Sequence, residues 1–217
     1  MNTDLRKASY NEIVDFVFNH WPEDEVDDKW YWQLGDEVQI EPRQAIEFLT
    51  RLCNNASELL ERFTLRQIAE GLHYVFGAGG QSEFYDHLWN SSVPWPERRA
   101  CVAAIPKLYT DVFERDDEGM GGCAFMLWDS ITYGYCCGNC DPANDAEDAR
   151  VQEAMFDALA SMLSSDHPET LRGAIHGLGH LEHRESNRVI RELLTSSRSL
   201  PAHVRTYAAQ VLEGDFQ

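Results

Sequence analysis

Residues 167–183, HPETLRGAIHGLGHLEH, show a clear helical pattern of apolar and polar residues. The apolar residues recur every three or four positions, so at about 100° per residue they form one stripe along a helix. The stripe consists of Leu171, Ala174, Ile175, Leu178 and Leu181. Because proline suits a first helical turn, Pro168 marks the start. The pattern predicts an α-helix over 168–183.

The same helix carries three histidines away from the apolar stripe. His176, His180 and His183 fall at roughly 120–180° from the centre of the stripe. We therefore expect a packed helix that displays a row of histidines on its polar face. Gly173 and Gly177 lie between the two faces, where small residues let a neighbouring backbone come close.

Helical periodicity with start signals recurs along the rest of the chain. Ser9 with Glu12 and Thr64 with Gln67 have the spacing of a capping box, and Pro42 opens another strongly amphipathic segment. Further helices are predicted over about 97–115, 121–133, 146–164, 185–196 and 201–213. The sequence has no sustained alternation of apolar and polar residues between glycine-rich turns, so the fold class predicted is all-α.

Residues 171–178 and 204–211 share a pattern at an offset of 33 residues. In both, an apolar residue and an arginine precede small residues and a later aliphatic one, and a proline stands upstream: Pro168 with Arg172, and Pro201 with Arg205. Over about residues 145–213 the chain resembles HEAT-like α-solenoid repeats. The resemblance implies a helical-hairpin array that acts as a scaffold or binding surface rather than an enzyme. We expect one compact domain, with an irregular helical part over 1–140 and HEAT-like hairpins over 141–217.

The charge balance is strongly acidic: 18 Lys and Arg against 37 Asp and Glu give −19. This excess argues against direct binding to nucleic acid phosphates and favours a basic protein partner. The candidate partner-binding residues are the clusters Glu23, Asp24, Glu25, Asp27, Asp28 and Glu114, Asp116, Asp117, Glu118. A third cluster comprises Asp141, Asp145, Glu147 and Asp148. The alternative is that the clusters are solvated loops and helix N-termini, where carboxylates are favourable in any case.

The N-terminus is polar, and no stretch approaches the ~18 apolar residues of a membrane helix. We expect a cytoplasmic protein without a membrane partner. Its six cysteines are then expected to be reduced thiols rather than a disulfide framework.

Two half-sites for a metal stand out, Cys137-x-x-Cys140 and His176-x-x-x-His180. Imidazoles at i and i+4 project together from a helix, so the four residues form a candidate zinc site. The 35 residues between the halves exceed the usual spacing of zinc fingers. The alternatives are a cysteine-bearing turn with exposed histidines, or a redox pair, although redox C-x-x-C motifs follow a strand that is missing here.

The sequence contains no familiar catalytic motif, and Glu70-x-x-His73 is a single copy where a di-iron bundle needs two. The leading hypothesis is a non-enzymatic acidic protein that binds and inhibits a basic partner, for example an immunity protein against a toxin domain, with no cofactor. The alternative is a zinc-binding protein or metal-dependent enzyme that uses Cys137, Cys140, His176 and His180. The sequence leaves the oligomeric state open.

Overall fold

A computed structural model describes residues 3–20, 29–33, 38–77, 84–115 and 120–215. Ten α-helices lie in these ranges: α1 (Tyr10–Phe18), α2 (Pro42–Asn54), α3 (Leu59–Arg62), α4 (Leu65–Val75), α5 (Trp95–Asp111), α6 (Gly121–Cys136), α7 (Ala146–Met162), α8 (Pro168–Leu181), α9 (Ser186–Thr195) and α10 (Ala202–Glu213). Short 3-10 segments occur at Trp30–Gln33, Ala56–Glu58, Tyr85–Leu88 and Phe113–Arg115. All four precede α6, in the part where the sequence predicts an irregular arrangement.

Local sequence signals set the helix starts. Both predicted capping boxes form, with Ser9 and Glu12 at the start of α1 and Thr64 and Gln67 at the start of α4. Pro42 and Pro168 occupy first-turn positions in α2 and α8. The capping side chains of α1 and α4 satisfy backbone N–H groups that have no partner within the helix, and a first-turn proline has no N–H to satisfy. The all-α prediction is confirmed.

One element departs from a purely helical description. The two-residue strands β1 (Thr3–Asp4) and β2 (Val38–Gln39) pair in parallel, with Thr3 opposite Val38. A pair this short has no periodicity that a sequence pattern could reveal. Within the described residues it is the whole of the sheet structure.

Helix α8 is the centre of the C-terminal half. It packs against α6, α7, α9 and α10, and most extensively against α6. The close approach depends on two glycines, as predicted: a Cβ on Gly173 would lie 2.9 Å from the Ala124 carbonyl oxygen, and one on Gly177 would lie 2.7 Å from Trp128 Cβ. Buried apolar side chains from Leu5 to Val211 form one cluster, so the described helices share a core.

The prediction of exposed histidines is wrong. The relative solvent-accessible surface areas of His176, His180 and His183 are 0%, 8% and 7%. A helical wheel locates a polar side but cannot reveal that a second helix covers it. Here the side of α8 opposite its apolar stripe is covered too, so its histidines are interior side chains.

Among the described helices, none combines the length and the apolarity needed to span a bilayer. All six cysteines are free thiols, as the sequence predicts.

Candidate metal centre

Three potential metal ligands converge between α6 and α8. Asp129 comes from α6, and His176 and His180 stand one turn apart on α8. One ligand atom from each lies within 4.8 Å of the other two. Oδ1 of Asp129 is 3.0 Å from Nε2 of His180 and 3.5 Å from Nε2 of His176. The glycine-dependent contact of the two helices brings these groups together.

The oxygen-to-nitrogen distances match those between ligands of one metal ion. Nitrogen and oxygen ligands lie about 2.0–2.2 Å from a zinc ion, so two of them are about 2.8–3.6 Å apart at angles between 90° and tetrahedral. The two contacts of Asp129 Oδ1 fall within this range. Asp129 Oδ1 is therefore spaced from each of the two imidazole nitrogens as two ligands of one ion are.

The carboxylate supplies a negative charge at neutral pH. The neighbouring rings of His176 and His180 hold the pKa of Asp129 well below its usual range, although partial burial opposes the shift. Asp129 is therefore ionised, as a metal-binding carboxylate must be.

His176 has a buried nitrogen without a well-formed hydrogen bond. Its side chain is fully buried, yet the 3.5 Å from Nε2 to Asp129 Oδ1 exceeds the usual range of about 2.7–3.2 Å. Leaving such a nitrogen unsatisfied costs about 1–3 kcal/mol. When this nitrogen carries a lone pair, a cation shared with the carboxylate and the second imidazole would satisfy it.

The outer nitrogens of both rings contact groups that can either donate or accept a hydrogen bond. Nδ1 of His176 is 2.6 Å from the hydroxyl of Tyr207, and Nδ1 of His180 is 3.2 Å from Sγ of Cys136. Burial raises the pKa of Tyr207 to about 12 and also raises the pKa of Cys136, so both groups keep their protons.

These two partners are compatible with both tautomers of each ring. When the hydroxyl and the thiol donate to Nδ1, each Nε2 carries a proton and faces Asp129. When they accept instead, Nδ1 carries the proton and the Nε2 lone pair is released to a metal. A backbone carbonyl or a backbone N–H in their place would fix one state.

Aromatic groups enclose the centre on the His176 side. The Phe125 ring centroid lies 4.2 Å from that of His176, and the Arg172 guanidinium stands over Phe125, 4.9 Å from its centroid. This packing keeps water away from the ring and strengthens local electrostatic interactions.

The sequence predicted only half of this group. His176 and His180 belong to it, whereas Cys137 and Cys140 do not and lie in the turn after α6. Cys137 is exposed, and burial raises the pKa of Cys140 to about 11, which disfavours the thiolate that binds metal. Asp129 was missed, although one signal was present: it is the only acidic residue in the otherwise apolar stretch 121–133.

Of the nine candidate partner-binding carboxylates, eight lie outside the described residues: Glu23, Asp24, Glu25, Asp27, Asp28, Asp116, Asp117 and Glu118. The ninth, Glu114, is half-buried and accepts hydrogen bonds from the hydroxyls of Ser165 and Thr170 at 2.8 and 2.7 Å. It therefore joins the segment after α5 to the start of α8.

The third acidic cluster has structural roles. Asp145 caps α7 by accepting from the backbone N–H groups of Glu147 and Asp148, and Glu147 forms an ion pair of 2.7 Å with the buried Arg98. For this cluster, the alternative of carboxylates favoured at a helix N-terminus is confirmed.

The chain was compared with models of protein families, with curated proteins and with solved structures, and none of them matches it.

Proposed function

We propose that this protein binds one divalent transition-metal ion through Asp129, His176 and His180. Two imidazoles and one carboxylate suit Zn²⁺ or Fe²⁺ and are too few to complete either coordination sphere. The ion would therefore keep at least one position for water or a small ligand. The proposal replaces Cys137 and Cys140 by Asp129 in the ligand set.

The observation that carries the proposal is the buried Nε2 of His176. It lies within reach of a carboxylate and a second imidazole, yet it has no good hydrogen bond. A metal ion would satisfy all three groups at once.

The test is calorimetric titration of Zn²⁺ into chelator-stripped, tag-free protein. We expect one site per chain in the wild type, and at least about 100-fold weaker binding in His180→Gln and Asp129→Asn, which is about 2.7 kcal/mol. The matched control is His183→Gln, which removes a buried histidine outside the group and should keep the wild-type affinity. Urea melts verify that each variant is folded. Absence of stoichiometric binding in the wild type, or equal loss in His183→Gln, would refute the proposal.

A second function, capture of a basic protein partner, is favoured by how the positive charges are used. All 18 Lys and Arg lie in the described residues, and at least twelve have a carboxylate within 4.0 Å. Most of the positive side chains are thus already paired with carboxylates of the chain itself. The excess of carboxylates over basic residues would be able to attract a basic partner. An inhibitor of a basic toxin domain, built on HEAT-like hairpins and located in the cytoplasm, is the specific form of this second proposal.

The test of this second proposal is a pull-down from native lysate, followed by association kinetics with the captured protein. Raising salt from about 0.05 to about 0.5 M shortens the Debye length from about 14 to about 4 Å and should slow association. Neutralising Glu23, Asp24, Glu25, Asp27 and Asp28 should slow association as well. A matched control neutralises five exposed carboxylates elsewhere: Glu41, Glu58, Glu61, Glu213 and Asp215. Equal effects of the two sets would show that net charge acts without this cluster, and an acidic captured protein would contradict the proposal.

A further inference from the structure

A cavity of about 380 Å³ lies beside the candidate metal centre, between α4, the 3-10 segment Tyr85–Leu88 and α6. Asp129 belongs to both the cavity wall and the metal-binding group. The other described wall residues are His73, Gly77, Tyr85, Met126, Ser130 and Tyr133.

Of the three ligands, Asp129 is the one that lines the cavity in the described part of the chain. The His176 side chain is fully buried and that of His180 is 11% exposed, whereas that of Asp129 is 22% exposed. The two imidazole rings thus lie on the side of the Asp129, His176 and His180 group that faces the protein interior. An open position on the ion, next to the exposed side of Asp129, would face the cavity, because Asp129 lines its wall.

The wall chemistry limits what the cavity accepts. Hydroxyls of Tyr85, Ser130 and Tyr133 offer hydrogen bonds, and Met126 offers an apolar surface. Burial lowers the pKa of His73, so its ring is neutral at pH 7. A divalent ion with one carboxylate ligand has a net charge of about +1, which attracts a single negative charge.

We propose that this cavity holds a small monoanionic oxygen ligand, of the carboxylate or hydroxamate class, on the open position of the metal; this inference rests on the proposed metal binding. The volume is near the lower end of small-molecule sites, about 300–1,000 Å³, and so fits a compact molecule.

The experiment uses the full chain loaded with Co²⁺, whose visible absorption reports its coordination, and acetohydroxamate as the probe. We expect a saturable change of the Co²⁺ spectrum, with equilibrium dialysis verifying that the metal stays on the protein. In Met126→Trp, which fills the cavity, and Met126→Glu, which places an anion at its wall, acetohydroxamate should bind at least about tenfold more weakly. In Met126→Trp, Co²⁺ affinity should change less than about twofold.

Leu65 provides matched controls, because it is about as exposed as Met126, 37% against 38%, and does not line the cavity. Leu65→Trp and Leu65→Glu should bind the probe as the wild type does. Loss of Co²⁺ binding by the wild type itself overturns both proposals. A Co²⁺ spectrum that acetohydroxamate does not change, or a change equally strong in the Met126 variants, overturns only the cavity proposal and leaves metal binding intact.

Discussion

Two regions that bury histidines differ in how completely they satisfy them. His183, just beyond α8, contacts Glu153 Oε2 through Nε2 at 3.2 Å and accepts from the backbone N–H of Glu185 at Nδ1, 3.3 Å away. Its ring stacks on Phe156, with 4.2 Å between centroids. Because the backbone N–H of Glu185 can only donate and the ionised carboxylate of Glu153 can only accept, the tautomer is fixed and both nitrogens are used.

The pair His176 and His180 has the opposite character. The Nδ1 atoms contact a hydroxyl and a thiol, which are compatible with either tautomer of the rings. Nε2 of His176 has no hydrogen bond of good geometry. Burial alone therefore does not distinguish a candidate metal-binding histidine from a structural one. The distinguishing feature is an unsatisfied nitrogen beside a carboxylate, with partners that tolerate the exchange of a proton.

The largest expected effect is on stability linked to metal. Zn²⁺ at about 100 times its dissociation constant should stabilise the wild type by about 2.7 kcal/mol, because the ion binds only the folded chain. His183→Gln should show the same gain, and His180→Gln at most about 0.4 kcal/mol, because its affinity is expected to be at least about 100-fold weaker. Urea melts with Zn²⁺ and with a chelator measure the difference. A gain that persists in His180→Gln would remove the distinction between the two regions.

The next largest effect is expected from the Tyr207 hydroxyl, which contacts Nδ1 of His176. Tyr207→Phe removes the hydrogen-bond partner of Nδ1, so the ring is less well oriented and Zn²⁺ affinity should fall about 10–100-fold. Phe156→Leu alters the corresponding neighbour of His183 and serves as control, with no expected change in affinity. Titration calorimetry measures both, and an unchanged affinity in Tyr207→Phe would show that the hydroxyl does not support the centre.

Most helices were predictable because their signals are local. The capping boxes at Ser9 and Thr64 and the first-turn prolines act within one turn, so the sequence displays them directly. The three candidate metal ligands are not close to one another in the sequence. His176 and His180 share a helix and were found together, whereas Asp129 lies 47 residues before His176 and joins them only through the packing of α6 on α8.

The burial of the histidines was unpredictable for the same reason. The period of α8 correctly separated an apolar stripe from a polar side, but periodicity does not report which elements cover each side. The mixed face of α6, which carries one carboxylate among apolar residues, is what receives the polar side of α8.

A smaller effect is expected from the glycine that sets the distance between α6 and α8. In Gly177→Ala the new Cβ would meet Trp128 Cβ at 2.7 Å and Leu159 Cδ2 at 2.8 Å. Leu159 Cδ2 can shift, but Trp128 Cβ is fixed to the backbone of α6, so α6 and α8 must move slightly apart, at a cost of about 1–2 kcal/mol and with weaker Zn²⁺ binding. Gly122→Ala, where a Cβ meets nothing within 4 Å, is the control and should not destabilise. Equal stability of the two variants would mean that the close packing of α6 on α8 does not require a glycine at position 177.

X-ray absorption at the zinc edge of the loaded wild-type protein tests the central claim most directly, because sulfur and nitrogen or oxygen neighbours differ in distance. Ligation by Asp129, His176 and His180 predicts neighbours only at about 2.0–2.2 Å, with the outer-shell scattering of imidazole. A sulfur shell at about 2.3 Å would instead indicate cysteine ligation, as in the set with Cys137 and Cys140, and would contradict the account.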